Sequence, residues 1–203
     1  MEVLLGITTS TSTIVVASKA AMRGATILKT SDDKTIILNP HTLMAFSGEA
    51  GDTLNFSEYI AANTALYSMR NDAHLSPSAT ASFIREELAR SLRSRKPYNV
   101  NLLLGGVDPI SKEPGLWWLD YLASSARVPY AAHGYAQYYC LSILDKHHHP
   151  SISEDRGLEI LRMCTDELQR RLPIDFKGMT VKIVGQEGIR EIPWDMSRPI
   201  MAA

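Results

Sequence analysis

Two kinds of apolar spacing alternate along this chain, and each kind comes in pairs. Residues 3–9 and 13–17 are short aliphatic or β-branched runs split by a Ser/Thr-rich break, which predicts two strands joined by a hairpin turn. Residues 35–38 stop at the turn dipeptide Asn39-Pro40, and residues 42–46 resume as apolar sequence up to Ser47-Gly48, which predicts a second hairpin. Helical spacing then takes over. Residues 52–70 contain no proline or glycine and carry Phe56, Ile60 and Tyr67 as an apolar face. Ser76-Pro77 is a helix start, because the serine can cap free N–H groups and a first-turn proline has no N–H to leave unsatisfied. Its stripe is Thr80, Phe83, Ile84, Leu88 and Leu92, and Arg95-Lys96-Pro97 closes it.

The pairing repeats in the second half. Residues 100–107 and 115–122 predict strands around a turn rich in Asp, Pro and Ser, and residues 135–144 predict a short helix. Ser151 and Glu154 have capping-box spacing ahead of a helix whose stripe is Leu158, Leu161, Cys164, Leu168 and Leu172. Residues 179–184 and 189–192 predict a closing strand pair. Strict βαβ alternation would build a parallel sheet, whereas strands grouped as hairpins and helices grouped as pairs predict antiparallel sheets with helices outside. The expected fold class is therefore α+β, a four-layer αββα sandwich. With no internal repeat and no low-complexity linker, residues 1–192 are expected to form a single domain and residues 193–203 a C-terminal tail.

Composition narrows the partners. Hydrophobic residues make up 45% of the chain, enough for a sizeable core, and 21 Lys and Arg face 22 Asp and Glu. A near-neutral balance offers little general attraction for nucleic acid or anionic lipid, so neither is an expected partner. No run of apolar residues is long enough to span a membrane. Two cysteines, Cys140 and Cys164, are too few for a disulfide scaffold or a four-cysteine zinc site, and a reducing compartment fits them. The start, Met1-Glu2-Val3-Leu4-Leu5-Gly6, is not that of a secretory signal.

Residues that could carry chemistry are mostly better read as structure. The hydroxyl run from Thr8 to Thr13 lacks an identifiable base and reads as strand and turn residues. His147, His148 and His149 are adjacent and point apart, so no metal is expected. His133 stands at a strand-to-helix junction, where a lone histidine more often packs or caps than catalyses. Gly105-Gly106 lacks either phosphate-loop signature and reads as backbone crowding between sheets. Trp117, Trp118, Tyr138 and Tyr139 lack an interleaved basic stripe and read as core or interface packing. No cofactor is expected.

Several separated motifs together resemble one family. Residues 13–20 (TIVVASKA), 34–40 (KTIILNP), 46–52 (FSGEAGD), 101–108 (NLLLGGVD) and 132–135 (AHGY), then Ile143-Leu144-Asp145, are similar in content and order to the beta-type subunits of the proteasome, along the whole chain. Residues 31–35, 47–53 and 175–178 resemble the type-2 beta class in particular. The resemblance implies the αββα fold of N-terminal-nucleophile hydrolases. It also implies a place in a seven-membered ring of beta subunits, between an alpha ring and an opposite beta ring, in a particle of the cytoplasm and nucleus that degrades ubiquitin-tagged proteins to peptides.

Carried over position by position, the family's catalytic set is broken. Glu2 falls where active members have the nucleophilic N-terminal threonine, and Ser18 falls where they have an aspartate. Lys34 and the oxyanion glycine, Gly48, are retained, while His133, Pro173 and Phe176 replace a serine, an aspartate and a serine. No catalytic residue is therefore assigned, and a non-catalytic ring subunit needed for assembly is expected. Lys34 is expected to be a vestige or a local ion-pair partner worth about 0–1 kcal/mol. The alternative is an active threonine peptidase released by processing before Thr8 or Thr9. It is disfavoured because six residues along a strand move the nucleophile about 20 Å. The tail, with Trp194, Met196, Ile200 and Met201, is expected to dock on an adjacent subunit, with capping of the chain's own core by residues 194–196 an equal alternative.

Overall fold

A computed structural model describes residues 2–24, 26–173 and 176–196. In chain order the elements are β1 (Leu4–Thr8), β2 (Thr13–Ser18), β3 (Ala21–Arg23), β4 (Thr26–Lys29), β5 (Thr35–Asn39), β6 (Thr42–Gly48), α1 (Ala50–Asn71), α2 (Pro77–Ser91), β7 (Val100–Val107), β8 (Pro114–Leu119), β9 (Ser125–Arg127), β10 (Tyr130–His133), α3 (Ala136–His147), α4 (Glu154–Arg171), β11 (Met179–Gly185) and β12 (Gly188–Ile192). Two five-stranded sheets run β10-β1-β2-β11-β12 and β5-β6-β7-β8-β9, and β3-β4 form a small ribbon. Every strand pairing is antiparallel.

The four layers follow from side-chain alternation along strands that are buried on both faces. In the first sheet Val3, Leu5, Ile7, Ile14 and Val16 join Cys140, Leu144, Ile160, Leu161 and Leu168 of α3 and α4. Their neighbours in the chain, Leu4, Val15 and Ala17, face the other way and pack on Leu43, Ala45, Leu103 and Leu116 of the second sheet. The second sheet turns Met44, Leu102 and Leu104 outward onto Phe56, Ile60, Ile84 and Leu88 of α1 and α2. A one-residue slip would reverse all three faces, so the register is strongly determined. Gly105 lies where the sheets approach: a Cβ there would meet Val15 Cγ2 at 2.9 Å and Thr13 Cγ2 at 3.0 Å. The crowding expected of this glycine is what the structure shows.

Several local expectations are corrected. The strand starting near residue 115 ends at Leu119, because the Asp120 carboxylate accepts the N–H groups of Leu122 (3.0 Å) and Ser124 (2.9 Å) and turns the chain. The fourth helix is capped by Ser153, which accepts from Arg156 N at 3.2 Å, while the Ser151 hydroxyl lies 2.8 Å from His149 Nδ1. Tyr67 and Leu92 are exposed, and Thr64 and Ala81 take buried places on α1 and α2 instead. The short strands β3, β4, β9 and β10 escaped notice because three or four residues carry no readable alternation.

The described part of the tail docks on its own domain. Trp194 and Met196 pack on the cluster beneath α4, the Arg162 guanidinium stands 3.8 Å from the centroid of the Trp194 ring, and Arg162 also donates to the Asp195 carbonyl. For these residues the structure shows the capping of the chain's own core; Ile200 and Met201 lie outside the described residues. Trp194→Ala should destabilise the chain by about 2 kcal/mol through lost apolar burial and the cation–π contact. Urea titration of the two proteins checks this, and coincident midpoints would refute it.

Candidate functional site

One end of the sandwich gathers Glu2, Ser18, Lys34 and Gly48 of the residues that sequence singled out. The pairings Leu4 with Ala17, Leu4 with His133 and Gly48 with Val100 bring the start of β1, the end of β2, the end of β6 and the turn after β10 together. They border an open cleft of about 870 Å³, lined among others by Glu2, Met22, Lys34, Ser47, Gly48 and Tyr135.

Glu2 enters this cleft and turns its side chain onto β6. The Gly48 N–H donates to Glu2 Oε2 at 2.8 Å. Gly48 must be glycine: its φ is 137°, and a Cβ would stand 2.2 Å from the Asn99 carbonyl oxygen. Gly134, with φ 71°, fits under the chain start, where a Cβ would be 2.6 Å from the Glu2 carbonyl. Ser18 is buried, and its hydroxyl accepts the Val3 N–H at 3.2 Å while its own N–H donates to the Val3 carbonyl at 3.0 Å. A residue that replaces a charge in the family pattern here ties down the first strand.

Lys34 is only 2% exposed, immediately before β5. Its ammonium donates to the carbonyls of Ser18 and Ala20, both at 2.9 Å, and lies 3.3 Å from Asp32 Oδ2. Two of its three N–H groups are thus bonded to carbonyls, and the charge is balanced by the ion pair with Asp32. Of the two expectations for Lys34, the local ion-pair partner is the one the structure bears out, through Asp32; what differs is that the lysine is buried and also bonds two carbonyls, so the small contribution expected of an exposed pair does not apply.

The other positions lie outside this constellation. His133 is buried, with Nε2 2.9 Å from the Leu102 carbonyl and its ring stacked on Trp118 at 5.0 Å and 14°. Burial lowers its pKa from 6.5 to about 4, so it is a neutral link between the sheets at neutral pH. Phe176 is a core residue and Pro173 an exposed one after α4; Asp175 lies outside the described residues. Thr8 and Thr9 stand at the far end of β1, with Thr8 Oγ1 donating to Pro129 O at 2.9 Å and Thr9 Oγ1 to Ser12 O at 3.0 Å. His148 Nε2 lies 3.1 Å from the Thr8 carbonyl, and among the described residues no group of three His, Cys, Asp or Glu could hold a metal. Cys140 and Cys164 are buried and free.

Sequence reasoning missed one charged pair beside the cleft. Lys182 of β11 reaches across to Asp33 Oδ2 at 2.7 Å and Thr35 Oγ1 at 2.6 Å. Partial burial works to raise the Asp33 pKa, but hydrogen bonds from Lys182 and Thr35 hold it below the usual carboxylate value. The signal was a lysine in the middle of an apolar strand, since a charge there needs a partner.

What the cleft holds is a carboxylate on a backbone N–H beside a lysine bonded to two carbonyls and paired with Asp32. At this place the chain carries a carboxylate and not a threonine hydroxyl.

A model of the proteasome subunit family matches residues 2–184. The chain is 71% identical over 203 residues to the probable proteasome subunit beta type-4 of Neurospora crassa, covering 100% of both chains. It is 52% identical over 192 residues to the proteasome subunit beta type-4 of Saccharomyces cerevisiae, covering 95% of this chain and 97% of that one. Identity to the proteasome subunit beta type-2 of Dictyostelium discoideum is 38% over 197 residues, covering 96% and 98%. The expected type-2 affinity is therefore not supported: relatives called type-4 are more similar.

Proposed function

Because this chain belongs to the proteasome subunit family, in its beta branch, we propose that it is a non-catalytic beta subunit of type-4 kind. Its proposed role is to close the beta ring of the core particle. The observation that carries the non-catalytic reading is the Glu2 carboxylate seated on the Gly48 N–H, where the family pattern calls for a reactive threonine. Lys34 supports it, since its ammonium is engaged by Ser18 O, Ala20 O and Asp32, all within this chain, with no threonine hydroxyl among its partners. Thr8 and Thr9, the alternative nucleophiles, are about 20 Å along the strand from that place.

The proposed partners are other beta subunits in a seven-membered ring, the adjacent alpha ring and the opposite beta ring. A ring closes through heterologous contacts only when every member presents both of its side surfaces, so a subunit that cuts nothing is still required. The particle as a whole would degrade ubiquitin-tagged proteins to peptides, the peptide bonds being cut by other subunits. We place it in the cytoplasm and nucleus, a reading that the two free thiols support. Assembled particles treated with an epoxyketone or a boronate and mapped by mass spectrometry should carry no adduct on this chain. An adduct on Thr8 or Thr9 would overturn the reading.

A further inference from the structure

We infer that the turn after α2 is a docking surface for acidic polypeptide segments, which Arg93, Arg95 and Lys96 meet as three cations within four residues. All three are exposed, the Lys96 side chain 88% so. Among the described residues no carboxylate stands within ion-pair distance of Arg93 or Arg95. The carboxylates around the turn are already engaged: Glu86 and Glu87 pair with Arg90 at 3.2 and 2.9 Å, and Asp52 accepts the Asn99 N–H at 3.0 Å while Lys96 stays 3.8 Å from its other oxygen. Nor does the helix end account for these cations. Arg90 stands in the last turn of α2, whereas the three follow its cap, Leu92, and the pull of the helix dipole fades within that turn.

The turn is held as a platform. The Arg93 N–H donates to the Arg90 carbonyl at 3.2 Å and the Ser94 N–H to the Ser91 carbonyl at 2.9 Å, which carries the chain round. Beyond it the Ser91 hydroxyl accepts the Tyr98 N–H at 2.9 Å, and the Tyr98 ring lies 5.1 Å from that of Phe56. A loop fixed at both ends loses little freedom when a partner binds, so its charges are presented in advance. The chemistry selects carboxylates. Two of the three cations are guanidinium forks, which match a carboxylate through two parallel N–H bonds. Residues 93–96 span at most about 10 Å, enough for two or three carboxylates of an extended segment and short of the about six to ten phosphates by which nucleic acid is held. With 21 Lys and Arg against 22 Asp and Glu, the chain as a whole adds no wider basic field.

The inference stands apart from the ring reading, which an inhibitor adduct on a threonine would sink without touching this one. The test titrates the isotope-labelled full-length chain with hexaglutamate, and with hexaglutamine and hexathymidylate for comparison, following backbone amide and arginine side-chain resonances. Hexaglutamate should shift residues 92–98 saturably, with a Kd on the order of 1 mM at about 10 mM salt and about tenfold weaker at about 150 mM. Hexaglutamine should not bind. Arg93→Gln/Arg95→Gln should weaken hexaglutamate binding about tenfold with the fold unchanged, because both side chains are exposed and unpaired. Lys146→Gln/Arg170→Gln, which removes the same charge from exposed positions of α3 and α4 on the opposite outer layer, should leave binding as it is. Shifts centred on other residues, a turn variant that binds as well as the native chain, or a loss shared by the control variant would overturn the proposal. Hexaglutamine or hexathymidylate binding as tightly as hexaglutamate would overturn it too, the first by removing the role of charge and the second by making the turn a phosphate surface.

Discussion

Lys34→Ala is expected to lower the stability of the chain by about 3 kcal/mol, several times what a surface ion pair contributes. The ammonium is 2% exposed and bonds two backbone carbonyls, Ser18 O and Ala20 O, at the point where β2 leaves its sheet and the chain turns toward the β3–β4 ribbon. Truncation removes the donor and leaves carbonyls in a place that excludes most water, the costly side of the hydrogen-bond balance. It also leaves Asp32 without one of its two cations, although Lys29 at 3.3 Å remains. Asp32→Asn separates the two contributions. Because Asp32 is about a third exposed, its loss should cost less than about 1 kcal/mol, so the two variants should differ by about 2 kcal/mol in urea unfolding. Equal costs would mean that the ion pair, and not the carbonyl bonding, is what Lys34 contributes. Particles that do assemble with Lys34→Ala should keep their peptidase activities, since the lysine is bonded within this subunit.

How far the sequence reached depended on whether a property is periodic or spatial. Long elements were legible: the alternation in β1, β2 and β7 and the stripes of α2 and α4 are produced by burial itself, so reading one reads the other. The layer order followed, because paired strands and paired helices leave few ways to hide two-faced sheets. Register at the cleft was not legible. Nothing in the string places Glu2 against Gly48, 46 residues away, or Lys182 against Asp33, 149 away. Those contacts exist because two sheets stack, and stacking appears only in three dimensions. The tail shows the same limit. Trp194 beyond the last strand signalled docking, but the contact it makes on its own α4 depends on where Arg162 stands, which the string does not give. Resemblance identified the beta branch through motifs spread along the chain, yet short stretches such as residues 47–53 were too little to rank its classes.

Acid should loosen the sandwich through His133 before carboxylates are protonated. The imidazole lies on β10 of one sheet, with Nε2 against the Leu102 carbonyl of β7 and its ring on Trp118 of β8 in the other. Burial favours the neutral ring and outweighs the hydrogen bond to Leu102 and the charge of Asp120, which favour the cation, so the pKa falls from 6.5 to about 4. The unfolded chain therefore binds this proton more readily than the fold does. Stability from this group is complete above pH 6.5, declines as pH falls from 6.5 toward 4, and is constant below that. The gap between the two pKa values corresponds to about 3 kcal/mol. His148, also lowered by burial, acts in the same direction but is more exposed and should contribute less. His133→Gln isolates the larger effect, because an amide can donate to Leu102 O without titrating. Between pH 7.5 and 4.5 the native chain should lose about 2–3 kcal/mol more than the variant in urea unfolding, and its Trp118 emission should change over the same interval. Parallel pH profiles for the two proteins would show that the ring is protonated as easily in the fold as outside it, and that the link between the sheets does not depend on its neutrality.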